Sequence, residues 1–355
     1  MRRTRLAVVW CVVWLAAGLA VSARNLDGTL ALIRRPVSTI PAVVKAGDTF
    51  AVTVASKEPV TRLDLSLQKA GQEVEVFALA DGQPALAPQE GLVTVAAKVP
   101  ADTAPGFYDL MGYSLPGPQR DSAERAVLVV AGFRQPYRFA HVTDVHIGKV
   151  RAVLPDQVLR QTAAEINRLG VDFVLVTGDL TESATPEQYR TFLQLLDLFE
   201  MPTFVSPGNH DRGGPEGKFG SPSAYDDYCG MGNYAFDWGT HRYLGLDTRW
   251  AEEYLEYAPY RQWLEGQLAR PDPAFGAVFS HRIADVDYPY YQERLPAHNY
   301  RLYAYGHTHD DRMDWLGPKR LLLLNTSHEF AGTYNVVTVS GDQVVSIDHH
   351  HRVLQ

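Results

Sequence analysis

Five short polar clusters between residues 144 and 309 contain the side chains of this sequence that could perform metal chemistry. Along the chain they are Asp144 with His146, Gly178-Asp179, Gly208-Asn209-His210-Asp211, His281, and Gly306-His307-Thr308-His309. In an extended strand, residues two apart point to the same face, so Asp144 and His146 would leave one strand end together. A carboxylate oxygen beside an imidazole nitrogen suits a borderline or hard divalent cation.

The candidate ligands are carboxylates, an amide and imidazoles, with no thiolate among them. They are Asp144, His146, Asp179, Asn209, His281, His307 and His309. This set exceeds the needs of one tetrahedral ion and suits two ions of five or six coordination. Two ions about 3.5–4 Å apart need a shared anionic ligand, and such a pair activates a water molecule while holding a phosphoryl oxygen. The sequence therefore predicts a centre that holds two metal ions.

The clusters fall where predicted strands end. The apolar runs that lead into them are 137–144, 171–177, 202–206, 275–279 and 302–305, and further strands are predicted at 233–238, 241–247, 321–324 and 334–348. Helices are predicted at about 152–169, 186–199 and 258–269, the first from apolar residues near a 3.6 spacing. Open α/β sheets bind ligands beyond the carboxyl ends of their strands. An α/β domain is therefore predicted over 134–355.

Residues 24–133 have the pattern of an all-β domain. Runs of alternating or apolar residues separated by turn signals occur at 50–54, 63–67, 74–77, 93–97, 107–113 and 126–130. Short strands at this spacing predict a small, Ig-like β-sandwich. Because the segment contains no His and no Cys, we expect a rigid accessory module, with a surface- or carbohydrate-binding module as the alternative. The segment 132–136 is the predicted boundary.

The first 23 residues have the features of a secretory signal. Arg2, Arg3 and Arg5 precede the apolar run 6–20, and small residues at 21–23 offer a cleavage site. The apolar run is shorter than the roughly 20 residues needed to cross a bilayer. We therefore expect an exported protein, periplasmic, extracellular or at the cell surface, without a membrane span after cleavage. A retained membrane anchor is the alternative.

Cleavage would leave an acidic protein with a single cysteine. The net charge would change from −8 to −11, because the segment contains three arginines and no acid. An acidic protein is a poor partner for long nucleic acids and anionic membranes. The remaining Cys229 is predicted to be an unpaired, buried thiol.

The order and content of the five clusters resemble the calcineurin-like metallophosphoesterase superfamily over about residues 137–345. The resemblance implies a four-layer α/β sandwich with two metal ions at the strand ends, Mn, Fe or Zn being expected. It also implies a division of the ligands: Asp144, His146 and His309 for one ion, Asn209, His281 and His307 for the other, and Asp179 between them.

Two residues after Asn209 are expected to act in catalysis by the same resemblance. His210 matches the superfamily's non-ligand histidine, which faces the scissile phosphate. It would stabilise charge in the transition state or protonate the leaving oxygen. Asp211 would either orient His210 or support the surrounding structure.

The sequence lacks residues that are characteristic of two subfamilies, which reduces the number of subfamilies it resembles. Glu182 stands where purple acid phosphatases have a tyrosine ligand, so no tyrosinate-coloured iron site is expected. The run 178–183 lacks the valine-Asp-Arg-Gly signature of serine/threonine protein phosphatases. The blocks 177–181 and 207–211 are most similar to those of the group that contains bacterial cyclic-nucleotide phosphodiesterases.

The other histidines have less direct links to the site. His141 lies an odd number of residues before Asp144, so it is predicted in the core or behind the ligands. His241 and His298 are expected to have no catalytic part, whereas His328 follows a strand and could border the site. The run 349–351 is expected to be a solvated strand end, with adventitious metal binding as the alternative.

Loop-borne aromatic and basic residues are candidates for substrate contacts. The tyrosines that could wall a pocket for a base, sugar or lipid headgroup are Tyr225, Tyr228, Tyr288, Tyr290 and Tyr291. Arg212 and Arg282 each follow a candidate site histidine and would contact phosphate or remain surface residues.

These features predict an exported dinuclear-metal phosphoesterase that acts on a small phosphodiester or phosphomonoester. The reaction would be attack of a hydroxide held between the ions, with His210 assisting the leaving group. The alternative is a cell-surface binding protein that uses a phosphoesterase-like scaffold. A decayed site loses ligands, and none is missing from this sequence, which favours the enzyme.

Overall fold

A computed structural model describes residues 25, 28–80, 83–212, 224–249, 254–326 and 332–351. The predicted signal at 1–23 and the candidate His328 lie outside these residues. An all-β unit comes first and an α/β unit follows, with a connection between residues 130 and 137.

In the described part of the all-β unit, eight strands form two sheets. They are β1 (Ile33–Arg35), β2 (Ala42–Lys45), β3 (Thr49–Ala55), β4 (Arg62–Lys69), β5 (Gln72–Leu79), β6 (Leu92–Lys98), β7 (Gly106–Leu115) and β8 (Gln119–Val130). One sheet has the order β1-β3-β6 and the other β2-β8-β7-β4-β5. The alternating residues Val52, Val54, Leu63 and Leu65 are buried in a shared core. The predicted all-β domain is confirmed, and the short strands β1 and β2 are additions to it.

The α/β unit contains eleven strands and five α-helices among the described residues. The strands are β9 (Tyr137–Val142), β10 (Phe173–Thr177), β11 (Thr203–Ser206), β12 (Tyr234–Trp238), β13 (His241–Gly245), β14 (Gly276–Phe279), β15 (Tyr300–Tyr305), β16 (Arg312–Leu316), β17 (Leu321–Asn325), β18 (Tyr334–Ser340) and β19 (Gln343–His350). The helices are α1 (Pro155–Leu169), α2 (Pro186–Leu196), α3 (Ala224–Cys229), α4 (Ala258–Leu268) and α5 (Tyr288–Ala297).

Two sheets form the inner layers of this unit. Their strand orders are β11-β10-β9-β18-β19 and β12-β13-β14-β15-β17-β16. Phe139 and Phe173 of the first sheet share a core with Phe236 and Phe279 of the second. Helices α1 and α2 cover the outer face of the first sheet, and α4 and α5 cover that of the second. The predicted four-layer α/β sandwich is therefore confirmed.

Parallel pairing brings the chemically active segments to one edge. Strands β9, β10 and β11 are parallel neighbours, as are β13, β14, β15 and β17. Parallel strands have their carboxyl ends on the same side of a sheet. The loops after these strands therefore meet where the two sheets face each other, which is the position of the candidate site.

The region 288–297 differs from the sequence-based expectation. It forms α5, whereas the sequence indicated loop-borne tyrosines. Pro289 lies in the first turn, where a missing amide proton costs no helical hydrogen bond. Pro296 lies in the last turn, and together the two prolines hid the helix from periodicity analysis.

The two units are joined by hydrogen bonds. The hydroxyl of Thr39 donates to the carbonyl of Cys229 at 2.6 Å, and the amide of Val205 donates to the carbonyl of Thr39 at 3.1 Å. The guanidinium of Arg125 donates to the carbonyl of Phe199 at 2.7 Å. Cys229 is buried and forms no disulfide with any residue that the structure describes, as predicted. In the part of the chain that the structure describes, no helix has the length and apolar character needed to span a bilayer.

Candidate dinuclear metal centre

The seven predicted ligands converge on the shared edge of the two sheets. Asp144 and His146 follow β9, Asp179 follows β10, and Asn209 follows β11. From the opposite sheet, His281 follows β14, and His307 and His309 follow β15. Ligand atoms of Asp144, His146 and His309 lie within 4.8 Å of one another, as do those of Asp179, His281 and His307. Six of the seven predicted ligands thus form two groups, and a third group places His210 with His146 and Asp179 at the same spacing.

Asp179 lies between the two groups. Its Oδ2 atom is 3.1 Å from Nε2 of His281 and 3.6 Å from Nε2 of His146. Oδ1 of Asp144 is 3.2 Å from Nε2 of His309. Ligand atoms around one ion with bonds of about 2.1 Å are separated by about 3–4 Å, so these spacings suit shared coordination. The position of Asp179 is the one that a bridging carboxylate requires.

Asn209 supplies a direct test of whether the residues fit a metal. Its Oδ1 atom is buried and has no hydrogen-bond partner. Leaving a buried acceptor unsatisfied costs about 1–3 kcal/mol, unless a ligand completes it. An amide oxygen is a donor that divalent cations accept, so a cation is a partner that this atom fits. The donor set, rich in nitrogen and oxygen, suits Mn, Fe or Zn.

Hydrogen bonds on the far side of the imidazoles fix their orientation. Nδ1 of His146 is 2.8 Å from a carboxylate oxygen of Glu182. Nδ1 of His281 is 3.0 Å from the carbonyl of Thr177, to which it donates. These contacts place the proton on Nδ1 and direct Nε2 of each ring to the carboxylates. Such partners set the tautomer and raise the basicity of metal-binding histidines.

The backbone at the site adopts an uncommon conformation. Positive φ angles occur at five of the predicted ligands: Asp144 (53°), His146 (51°), Asp179 (47°), His307 (74°) and His309 (53°). Residues other than glycine rarely have such angles, and they concentrate where function requires a side chain in a strained place. At Gly306, a Cβ atom would overlap Oγ1 of Thr143 and lie 2.6 Å from Oδ2 of Asp144. Glycine is therefore required where the last loop passes Asp144.

The electrostatics of the protein without metal favour cation binding. Burial lowers the pKa of His281, but Asp179 and Asp144 outweigh it and raise this pKa to about 9. Burial raises the pKa of Asp179, but His281, the His210 amide and His146 outweigh it, so the net shift is downward. The carboxylate is thus ionised and paired with an imidazolium proton, which a bound cation would displace.

His210 lies beside the ligands but is held differently. Its amide donates to Oδ1 of Asp179 at 2.8 Å, and its Nδ1 donates to the carbonyl of Glu182 at 2.7 Å. Its ring centroid is 4.8 Å from that of His146, and 36% of its side chain is exposed. The side chain is thus both close to the ligands and open to a substrate.

Asp211 has the contacts of a supporting residue. Its buried carboxylate accepts hydrogen bonds from the amides of Gly208 at 2.8 Å, Leu180 at 3.1 Å and Thr181 at 3.0 Å. Burial and Asp179 raise the pKa of Asp211 to about 6. It therefore ties the loop after β10 to the loop after β11, while the carbonyl of Glu182 orients His210.

Several other predicted residues lie away from the metal ligands. His141 is fully buried, 2.8 Å from the hydroxyl of Thr177, in the position behind the ligands that was expected. His241 contacts the hydroxyl of Tyr137, and His298 contacts Asp272. Neither lies among the candidate ligands.

The prediction that five tyrosines line a substrate pocket is wrong for four of them. Tyr225 and Tyr228 belong to α3 and are buried against the helical layer. Tyr291 belongs to α5 and is buried in the core beneath it. Tyr290 donates a hydrogen bond to Glu265 of α4. Helix formation directs these rings into the core or onto a neighbouring helix.

The two arginines differ in exposure. Arg212 is exposed and donates to the carbonyl of Asn209 at 2.9 Å. Arg282 is partly buried, and its charge lowers the pKa of His307, after the larger effects of burial and His281. Both arginines therefore lie near predicted ligands, Arg212 beside Asn209 and Arg282 near His307.

Glu182 is the functional residue that sequence reasoning missed. It was noted only as a departure from a tyrosine ligand, yet it contacts both His146 and His210. The sequence shows that Glu182 lies three residues after Asp179. It does not show that the side chain reaches His146, because that contact depends on the parallel bridge between Ile147 and Thr181.

Comparisons with known proteins agree with this geometry. Residues 137–311 match the family model for calcineurin-like phosphoesterases. A probable glycerophosphodiester phosphodiesterase, GpdQ, of Arcobacter nitrofigilis is 38% identical over 78 residues, 20% of this chain and 29% of the relative. The 3',5'-cyclic adenosine monophosphate phosphodiesterase CpdA of Haemophilus influenzae is 32% identical over 89 residues, 25% of this chain and 32% of the relative. The chain thus spans about a third of each relative.

A solved structure extends the likeness to both units. The purple acid phosphatase PPD1 from yellow lupin seeds superposes with a TM-score of 0.50 at 14% identity, covering 88% of this chain and 73% of that one. At this identity the likeness concerns the fold alone. Because it covers more than the α/β unit, the arrangement of an all-β unit before the α/β sandwich is part of it.

Proposed function

We propose that this chain, a member of the calcineurin-like metallophosphoesterase superfamily, hydrolyses a small phosphoester at a dinuclear metal centre. The observation that carries the proposal is the place of the Asp179 carboxylate between two groups of imidazoles. The buried Oδ1 of Asn209, which has no hydrogen-bond partner and lies on the loop after β11, supports it.

The ligands divide between two ions around Asp179. Asp144, His146 and His309 would hold one, and Asn209, His281 and His307 the other. When bound, a pair of cations would activate a water molecule and polarise the phosphoryl oxygens. The protein's own contribution is to fix the ligands through Glu182 and Thr177, so that little reorganisation is needed on binding.

His210 is the residue proposed to move a proton. The hydrogen bond from Nδ1 to the carbonyl of Glu182 leaves Nε2 as the ring atom that faces a substrate. In the imidazolium form, Nε2 carries a proton that it can transfer to the leaving oxygen as the P–O bond breaks. Its positive charge also stabilises negative charge that develops in the transition state.

A small phosphodiester is the proposed substrate class. The names of both relatives describe phosphodiesterases, one for glycerophosphodiesters and one for a cyclic nucleotide. The partial exposure of His210 agrees with a site open to a small molecule. A phosphomonoester is the second class to test.

Hydrolysis of bis-p-nitrophenyl phosphate with added manganese tests the proposal. Wild type, Asp179→Asn, Asn209→Ala and the control His298→Asn are compared for turnover and for bound metal. We expect both to fall in the first two variants and to be retained in the control, because His298 contacts only Asp272 among the described carboxylates. No turnover on this ester, cyclic nucleotides, glycerophosphodiesters or monoesters by metal-loaded wild type would favour the binding-protein alternative.

Export is a second proposal and rests on residues 1–23 alone. Amino-terminal sequencing of the mature protein after expression in a secreting host tests it. A new terminus close to Ala23 is expected, and an intact Met1 would contradict it.

A further inference from the structure

A second cluster of metal-binding side chains lies outside the candidate dinuclear centre. Asp311 precedes β16, whereas His349 and His351 lie at the end of β19. One ligand atom from each lies within 4.8 Å of the others. We propose that these three residues form a separate site for one borderline divalent cation, of which Zn²⁺ is the best match.

The spacing of the donor atoms suits a tetrahedral ion. Nε2 of His349 is 3.2 Å from Oδ2 of Asp311. Bonds of about 2.0–2.2 Å place two ligand atoms of a tetrahedral zinc about 3.3–3.6 Å apart. The ring of His351 stands at 83° to that of His349, with centroids 4.3 Å apart, and supplies the third donor. Two imidazoles and one carboxylate leave a fourth position for water.

The tautomer of His349 is set by a neighbour on the adjacent strand. Nδ1 of His349 is 2.6 Å from Oδ1 of Asn335. The amide group of Asn335 donates to the carbonyl of Asn325 at 3.2 Å, which fixes which of its ends is the oxygen. Nδ1 of His349 therefore carries a proton, and Nε2 is the ring atom directed at Asp311. This is the arrangement in which protein histidines bind metals.

The carboxylate of Asp311 is held from behind in a similar way. The hydroxyls of Thr326 and Thr333 lie 3.1 Å and 3.3 Å from Oδ1. Both threonines are buried, which fixes their positions. With Oδ1 engaged, Oδ2 is directed to His349. A surface carboxylate held rigidly in this way loses little entropy when it binds a cation.

An ion pair between Asp311 and a protonated His349 would explain the 3.2 Å distance but not the third donor. The chain also contains a histidine–aspartate pair that has no third candidate ligand beside it in the part of the chain that the structure describes. In that pair, Nδ1 of His298 is 2.9 Å from Oδ1 of Asp272. Among the described residues, no group of three candidate ligands includes that pair. The presence of His351 and the two threonines therefore distinguishes the proposed site from the His298–Asp272 ion pair. His298 serves as a matched control.

Occupancy of this site would connect the end of β19 to the active-site edge. Asp311 is two residues after the predicted ligand His309. Asn325, which accepts from Asn335, also donates to Asp310 at 2.8 Å. A bound cation would thus hold the segment after His309 against the last two strands. The cluster shares no residue with the candidate dinuclear centre.

Metal content and cobalt spectra of the full chain test the site. Asp311→Ala, His349→Ala and the control His298→Ala are loaded with Zn²⁺, and bound metal is measured after removal of the excess. We expect one equivalent fewer than wild type in the first two variants and no change in the control. The difference in visible absorption between Co²⁺-loaded wild type and His349→Ala should have the intensity of a four-coordinate ion.

Circular dichroism of each variant establishes that the fold is retained. Equal zinc content in wild type and His349→Ala, or a cobalt difference spectrum without four-coordinate bands, would overturn the proposal. The measurement does not depend on hydrolysis, so its failure leaves the proposed function untouched. The converse outcome is that wild type shows no hydrolysis while His349→Ala binds one equivalent of zinc fewer than wild type. That result would support this site and not the proposed function.

Discussion

The carboxylate of Glu182 lies 2.8 Å from Nδ1 of His146. The carbonyl of the same residue accepts a hydrogen bond from Nδ1 of His210. One residue therefore orients a predicted metal ligand through its side chain and the proposed proton donor through its backbone. A substitution removes the carboxylate, whose Oε2 atom also lies 3.9 Å from Nδ1 of His210, but keeps the backbone hydrogen bond to His210.

Replacement of Glu182 should weaken metal binding. Loss of such an orienting carboxylate typically lowers metal affinity about 10–100-fold, so we expect that range for Glu182→Ala. Glu182→Gln should have a smaller effect, since its amide oxygen can still accept from His146. Competition with a metal chelator measures the change, with the exposed Glu187→Ala in α2 as control. An unchanged affinity in Glu182→Ala would exclude the orienting function.

Replacement of His210 should slow the chemistry without removing metal. His210→Ala is expected to lower kcat by about 10²–10⁴-fold, the usual contribution of a general acid. The loss should be smaller for a p-nitrophenyl ester than for an alkyl ester, because p-nitrophenolate leaves readily without a proton. Parallel kinetics on the two esters, with metal analysis, check this expectation. Equal losses on both would show that His210 acts only through charge.

Gly306→Ala should disturb Asp144. The added Cβ would overlap Thr143 and press on the Asp144 carboxylate, so both metal content and thermal stability are expected to fall. Gly266→Ala is the matched control: it lies in α4, where a Cβ has open space. That change should raise stability by about 0.5–1 kcal/mol. Full metal content in Gly306→Ala would contradict the packing described at this loop.

Thr39→Val tests the joint between the two units. It removes the hydroxyl that donates to the buried carbonyl of Cys229, which should cost about 1–3 kcal/mol of unfolding free energy. Ser346→Ala, which removes an exposed hydroxyl contact on β19, should cost much less. Urea denaturation of the two variants measures the difference. Similar losses would mean that Thr39 does not stabilise the joint.

The candidate ligands could be predicted from sequence because each belongs to a short local pattern after a buried strand. Parallel pairing of those strands then leaves one edge for all of them. The Asp311–His349 contact could not be predicted in this way. It depends on the antiparallel register that places Asn335 opposite His349, and hydrophobic periodicity does not specify such a register.

Two helices could not be predicted from the sequence, because proline and glycine usually indicate a loop but are tolerated at the ends of a helix. The proline-containing α5 was missed, and with it the burial of Tyr291. Tyr225 and Tyr228 were expected in a loop, but α3 carries them into the core. In each case tertiary packing outweighs the local preference of glycine- and proline-rich sequence for irregular structure.

The central claim is that Asp179 is shared by two cations. Electron paramagnetic resonance of the Mn²⁺-loaded protein tests it most directly, because two ions joined by a bridging ligand are magnetically coupled. Wild type should give the spectrum of a coupled pair, and Asp179→Asn should give only uncoupled Mn²⁺ or none. An uncoupled, mononuclear spectrum from fully loaded wild type would contradict the account.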